Sequence, residues 1–472
     1  MRVQSWKLSV VVTLVVLGIS ILPASASGTP DQPVWVEGTL LLAWGTPAVG
    51  GTQATSMVAS LARDDGPRVN LELGEEQLAV LGGPMAANGS RVRIQLPAGD
   101  GTLDRSVIHP LAIGLAEGSE PDSLEAAGSY PYVSLMCKFS DIAVPPEGLS
   151  YFLNMYANVF PGLDHYWRAQ SYNMVDVVGS SAAGWFELPH TRSYYTDLIV
   201  GGNHSPMLNA LYDDCTGVAA GSVNLGNFVG INLMFNETFG QFAWGGWGGV
   251  TWEPPWGWRN VAVIGHEMGH AFGLPHSNNA AGGGPYDNPW DVMSNSWGYA
   301  LSDPTYGTVG KHTISYHKNS LGWIPAGQKA AVSAPGLYEF DIDHLALAST
   351  SNLRMVTVAI PGSSRYYTIE VRDRAGYDGN LPGFAVILHE VDYSRQEPAW
   401  LVDLEDPNNG ADAGAMWLPG ECYDDAPNEI LICVESVTTE GYIVTVGFGD
   451  WYVLFADDFE AGNASAWSST TF

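Results

Sequence analysis

The chain has 472 residues, 46% hydrophobic and 15% charged, with 19 Lys and Arg against 50 Asp and Glu for a net charge of −31. That much apolar residue excludes wholesale disorder, and so acidic a surface repels polyanions, which excludes nucleic acid as a partner. The 55 glycines and 17 tryptophans, with few charges, suit a turn-rich, β-rich extracellular protein.

In chain order, Met1–Lys7 carries Arg2 and Lys7 and no acid, an uncharged apolar run follows from Leu8 to Leu22, and Pro23-Ala24-Ser25-Ala26 comes next. This predicts a secretory signal, 1–26, cut after Ala26. The apolar run is shorter than the roughly 20 residues a spanning helix needs. The mature chain is therefore expected outside the cell, without stable membrane association. From Val34 to Glu117 short apolar runs alternate with Gly and Pro, as in Arg68–Leu73 and Arg91–Leu96. They predict the strands of a small barrel or sandwich, and so a β-rich block over 30–128. Glu117–Ser129 reads as a linker open to proteolysis.

A second block, 130–325, opens with the apolar strand Tyr132–Phe139. It continues through helical patterns at Ser150–Val159, Leu163–Gln170 and Ser205–Tyr212, a strand at Asn227–Phe235 and a helix at Arg259–Phe272. After Trp323-Ile324-Pro325 the texture returns to strands, such as Tyr366–Val371 and Phe384–His389, which predicts a β-rich C-terminal domain over 326–450. An acidic tail, 451–472, closes the chain. The fold class expected is α+β: a mixed sheet plus an active-site helix, flanked by β-rich N- and C-terminal domains. The cysteines are Cys137, Cys215, Cys422 and Cys433. Two disulfides in an exported protein allow three pairings. The short loop favours Cys422–Cys433, leaving Cys137–Cys215; free buried thiols are the alternative.

One segment carries chemistry. His266-Glu267-Met268-Gly269-His270-Ala271-Phe272-Gly273-Leu274-Pro275-His276 is H-E-x-x-H-x-x-G-x-x-H. On a helix His266 and His270 lie one turn apart on one face, so both imidazoles can reach one ion. Gly273 can take a positive φ and stop the helix, and Pro275 prevents its resumption, so His276 can return as a third ligand. Three neutral imidazoles leave a fourth position open on a tetrahedral Zn²⁺, which lowers the pKa of water from 15.7 to about 7. Glu267 sits where its carboxylate can take the water's proton and pass it to a leaving amine, as general base and acid.

The segment resembles the extended zinc motif of the metzincin metallopeptidases, whose methionine turn beneath the zinc is matched by Asn288-Pro289-Trp290-Asp291-Val292-Met293-Ser294, with Met293 the turn residue. The position two after Met293 is Asn295, where the astacin-like branch has a zinc-contacting tyrosine, so no such fifth ligand is expected. Across roughly 130–400 the chain also resembles the secreted bacterial immune inhibitor A type and its relatives. The matching pieces are Lys138–Asp141, Asp164–Trp167 with Ser171-Tyr172, Trp185–His190, Tyr286–Ser294, Leu321–Trp323, and Glu370–Arg372 with Gly376–Asp378. It departs from that type in having His276 where the type has Asp. The resemblance implies a metzincin-like catalytic domain in a secreted zinc endopeptidase acting on extracellular protein or peptide substrates. The alternatives are a zinc-stabilised protein- or glycan-binding module and a zinc hydrolase of non-peptide amides; Glu267 discriminates against the former.

Several features around the motif admit two readings. Trp244, Trp247, Trp252, Trp256 and Trp258 either hold a ligand beside the cleft or form core. Phe228–Leu233 is either an edge that pairs with substrate or an interior strand. Tyr316 and His317 are the nearest candidates for an oxyanion donor. His109, His165, His190, His204, His312, His317, His344 and His389 lack paired spacing and read as structural. Asp287, Asp291 and the Asp403–Asp406 run could bind Ca²⁺ or be solvated loops. Val34–Gly128 is placed to be a pro-domain or a permanent accessory domain. No cysteine precedes Cys137, so a metal cap from this block would fall to an acid such as Asp64 or Asp65.

Overall fold

A computed structural model describes residues 33–48, 56–64, 66–97, 107–119, 126–143, 146–279, 286–405 and 409–451. The expected signal, Asp65, Asp406, residues 120–125 of the linker and nearly all of the acidic tail lie outside them. Within them the chain is mixed α+β, β-rich, with two disulfides, Cys137–Cys215 and Cys422–Cys433, as the favoured pairing expects. No helix among the described residues is long and apolar enough to cross a membrane.

An eleven-stranded sheet organises the first two thirds of the chain. Its N-terminal strands are β1 (Val34–Pro47), β2 (Ser56–Arg63), β3 (Val69–Leu71), β4 (Arg91–Leu96), β5 (Val107–Ile108) and β6 (Ala112–Leu115). The middle of the chain adds β7 (Tyr132–Lys138), β8 (Ser181–Glu187), β9 (Gly230–Phe235), β10 (Phe242–Gly246) and β11 (Val250–Glu253). The order is β8-β7-β9-β11-β10-β1-β2-β3-β5, with β4 on β1 and β6 on β4. Strands β8, β7, β9 and β11 are mutually parallel and β10 runs against them. Parallel strands buried on both faces read as near-continuous apolar runs, which is why Tyr132–Lys138 and Gly230–Phe235 stand out in sequence.

The N-terminal block is β-rich, as expected, but it does not close into its own barrel or sandwich. Strand β1 is 14 residues long. Its first half pairs with β4 and its last five residues pair antiparallel with β10, Ala43 facing Gly246 and Pro47 facing Phe242. The central sheet therefore continues into the N-terminal strands without a break.

Helices α2 (Ser205–Ala219) and α3 (Val261–Ala271) lie against this sheet, and α1 (Leu163–Gln170) packs beside α3. On one face α2 packs against the sheet through Met207, Leu208 and Leu211, beside Trp244 and Trp252. The Cys137–Cys215 disulfide ties α2 to β7. Helix α3 lies on the opposite face against β1, β10 and β11. Every residue of α3 is buried, so its apolar composition reflects burial all round rather than an amphipathic surface position. Downstream, a six-stranded and a four-stranded sheet share one core that includes Ile369, Val386, Ile432 and Val444.

Candidate metal centre and cleft

Helix α3 carries His266, Glu267 and His270 on the turn facing the sheet, and Gly273 ends it with φ 94°. Pro275 follows, and the chain turns back so that His276 meets the other two. The three Nε2 atoms lie 2.9, 3.0 and 3.1 Å apart. The His266 Nδ1 faces the Val292 carbonyl at 2.5 Å and the His270 Nδ1 faces the Leu274 carbonyl at 2.6 Å. Those carbonyls place the ring proton on Nδ1 and turn the Nε2 lone pairs inward. Three imidazole Nε2 atoms within 3.1 Å of one another are placed to ligate a single ion, so the donor set fits a metal. Among the described residues this is the one set of three His, Cys, Asp or Glu side chains placed to hold one.

Burial keeps all three rings neutral. His266 is held down to about 4, burial outweighing the Val292 carbonyl. His270 lies well below the ordinary histidine value through burial and then His276 and His266, and His276 does so through burial and then His266.

Met293 stands where the sequence placed it. A Cβ at Gly269 would come 2.3 Å from Met293 Sδ, so the turn presses on the helix between the first two ligands. The turn is fixed from below. Asp291 accepts from the Met293 amide, Thr313, Ser277 and His317. Burial would raise its carboxyl, but these partners, His317 foremost, hold it well below the carboxylate range. The buried Arg372 donates to the Trp290 carbonyl and pairs with Asp378 at 2.9 Å. The pieces Glu370–Arg372 and Gly376–Asp378, far from the motif in sequence, thus converge on the methionine turn. The C-terminal sheet also holds the third ligand: Ser277–Asn278 pairs with Ala399–Leu401 as an edge strand, immediately after His276.

Glu267 is fully buried, and among the described residues neither carboxylate oxygen has a hydrogen-bond partner; the buried Thr46 hydroxyl nearby is unpartnered as well. Its pKa is raised well above the ordinary value by burial first and by the charge of Glu253 second, with the Thr46 hydroxyl acting against them. Glu253 on β11, which nothing in the sequence singled out, is equally buried and has no hydrogen-bond partner among the described residues, and burial pushes it up to about 8.

Across the site runs the end of β1. The Trp44 ring stacks on His270 with centroids 5.2 Å apart and planes 14° from parallel. The Gly45 carbonyl accepts from the Tyr286 hydroxyl at 2.5 Å, and the Tyr286 ring stands 4.8 Å from that of His276. Thr46 comes up beside Glu267. Three consecutive residues of the N-terminal block therefore cover a ligand, a tyrosine and the carboxylate.

Several expectations change. Phe228–Leu233 is no edge: β9 lies between β7 and β11, because Gly230 admits close packing on the Tyr132 ring. Strand addition occurs instead at β10, and the added strand is β1. Trp244, Trp247, Trp252 and Trp258 are core rather than a ligand platform, exposed by 8% or less; Trp256 alone is partly exposed. Asp64 pairs with Arg91 at 2.6 Å on the surface and caps no metal. Tyr316 gives its hydroxyl to Met85 Sδ and His317 faces Asp291, so neither points at the histidines. Asp291 is committed to hydrogen bonds, and Asp287 and Asp403 share Asn279, with no third His, Cys, Asp or Glu placed to join them among the described residues.

No protein-family model and no curated protein matches the chain.

Proposed function

We propose that the protein is a secreted zinc-dependent endopeptidase of metzincin type, and that the described form is latent, with β1 lying in the substrate cleft. The observation that carries this is Glu267: a fully buried carboxylate, unpartnered, one residue from a ligand and one helical turn from the next. A structural metal site gains nothing from such a group and bears its desolvation cost of a few kcal/mol. Two disulfides suit an oxidising compartment outside the cytosol, and the N-terminal 26 residues supply the export signal.

His266, His270 and His276 would hold the ion. Bound zinc would bring the pKa of a water to about 7 and polarise a peptide carbonyl. Its charge would also pull Glu267 back toward the ionised state that burial opposes. Glu267 then takes the proton of the attacking water and delivers it to the departing amine nitrogen. The apolar surround excludes bulk water, which strengthens each of these interactions. Substrate would enter as β1 does, extended and antiparallel to β10, with main-chain hydrogen bonds supplying affinity.

The test is casein or gelatin hydrolysis by the protein after limited proteolysis by a glutamyl endopeptidase, which can cut the Glu117–Ser129 stretch, beside Glu267→Ala and with zinc content measured in parallel. Wild type is expected to cleave. The variant is expected to keep its zinc and lose 10²-fold or more. Two zinc-loaded, inactive proteins with β1 shown to be displaced would overturn the reading.

A further inference from the structure

Strand β1 shows how an extended peptide lies in this cleft, and with it which group meets a carbonyl oxygen there; the inference rests on the peptidase reading above. Trp44 covers His270, and the carbonyl of the next residue meets Tyr286 beside His276, so the peptide at Gly45 crosses the site. Its carbonyl oxygen is held at 2.5 Å by the Tyr286 phenol. The ring of Tyr286 stands 4.8 Å from His276 and 6.5 Å from His266. Tyr286 adopts φ 63°, in the left-handed region that costs a non-glycine residue on the order of 1–3 kcal/mol and persists where a site requires it. Glu267 and Tyr286 thus approach the same peptide from different elements, one acceptor and one donor.

We propose that Tyr286 is a catalytic residue whose hydroxyl binds the scissile carbonyl oxygen. As the oxygen of water bonds to the carbonyl carbon, the carbonyl π pair moves onto its oxygen and Glu267 takes the water proton. The Tyr286 O–H, which shortens onto the growing negative charge, keeps its own proton. When the C–N bond breaks, the pair on oxygen re-forms the carbonyl and the nitrogen leaves with the proton from Glu267. A donor aimed at a developing oxyanion contributes roughly 10²–10³ in kcat.

The experiment compares wild type with Tyr286→Phe, which keeps the ring, both as the full chain after the same limited proteolysis. Four readouts are taken: kcat and KM on a quenched fluorescent peptide, zinc content, affinity for a phosphinic peptide that mimics the tetrahedral anion, and affinity for a simple hydroxamate. The expected result is a 10²-fold fall in kcat with KM no higher. Phosphinic affinity should fall in parallel, while hydroxamate affinity and zinc content stay within threefold. A kcat within threefold of wild type overturns the proposal and leaves the peptidase standing. A parallel loss of hydroxamate affinity or zinc also overturns it, since Tyr286 would then act through the fold. A wild type that cleaves nothing, with β1 displaced, removes the peptidase reading and this one together.

Discussion

If β1 gates the metal centre, truncating Trp44 should open it. The Trp44 ring is 1% exposed. A tryptophan buries on the order of 200 Å², worth about 5 kcal/mol at 25 cal/mol/Å². Part of that burial is against the strand's own neighbours in the N-terminal block, such as Leu42 and Ala59, and moves with the strand when it lifts. Assigning half of it to helix α3 and His270 gives about 2–3 kcal/mol lost from the closed state alone. The population of the open state should then rise roughly 30- to 100-fold, at 1.4 kcal/mol per factor of ten. The assay is chelator-driven release of bound zinc from the full chain, followed with a metallochromic dye, because the chelator reaches the ion only through the open state. Trp44→Ala is expected to release zinc 30- to 100-fold faster. Trp35→Ala, at the other end of β1 and 48% exposed, should be unchanged. Release from Trp44→Ala within twofold of wild type would mean that the strand does not control access.

Other outcomes follow from the same geometry. A Cβ at Gly245 would stand 2.1 Å from the Glu267 carbonyl oxygen, backbone against backbone; Gly245→Ala should cost 3 kcal/mol or more and abolish metal binding. Gly217→Ala, in helix α2 with nothing within 4 Å, should gain about 0.5–1 kcal/mol, and equal urea midpoints for the two variants would refute the packing. In the metal-free chain, burial holds His266 down to about 4 and His389 to about 3. The unfolded chain, with histidines near 6.5, binds more protons across that window. Stability should therefore be complete above pH 6.5 and fall by a few kcal/mol as pH drops toward 4; an unchanged melting temperature at pH 4.5 would contradict neutral burial. Removing the Cys137–Cys215 bridge, which closes a 78-residue separation, should cost about 4.5 kcal/mol on chain entropy. The 11-residue Cys422–Cys433 bridge should cost about 2.8 kcal/mol, and a reversed order in urea melts would refute the entropic account.

The latent arrangement also bears on the N-terminal block. If the block is a pro-domain, as proposed, its barrier is a strand, held by five residue pairs with β10 and by the Tyr286 hydroxyl. Strand addition is sequence-tolerant, because its hydrogen bonds come from the main chain. A pro-segment of this kind need carry no cap motif for a sequence search to find.

What the sequence by itself determined is local. His266, Glu267, His270, Gly273, His276 and Met293 are spaced within 28 residues, and helical periodicity with one glycine and one proline dictates the convergence of the three histidines. The favoured disulfide pairing followed from loop length, and the strands at Tyr132–Phe139 and Asn227–Phe235 from their apolar runs; that they pair in parallel is a tertiary fact. The tertiary structure alone decided what meets that segment from afar. Trp44, Glu253 and Arg372 reach it from three other parts of the chain, and Tyr286, inside it, turns onto the Gly45 carbonyl; their residue types are compatible with ordinary core and turn positions. The five tryptophans illustrate the ambiguity: an aromatic run beside glycines has the same composition whether it faces a cleft or fills a core. Which strand lies at a sheet edge depends on pairing between residues some 200 positions apart, as Ala43 with Gly246. Backbone hydrogen bonding is common to all residues, so that pairing leaves almost no mark on the sequence.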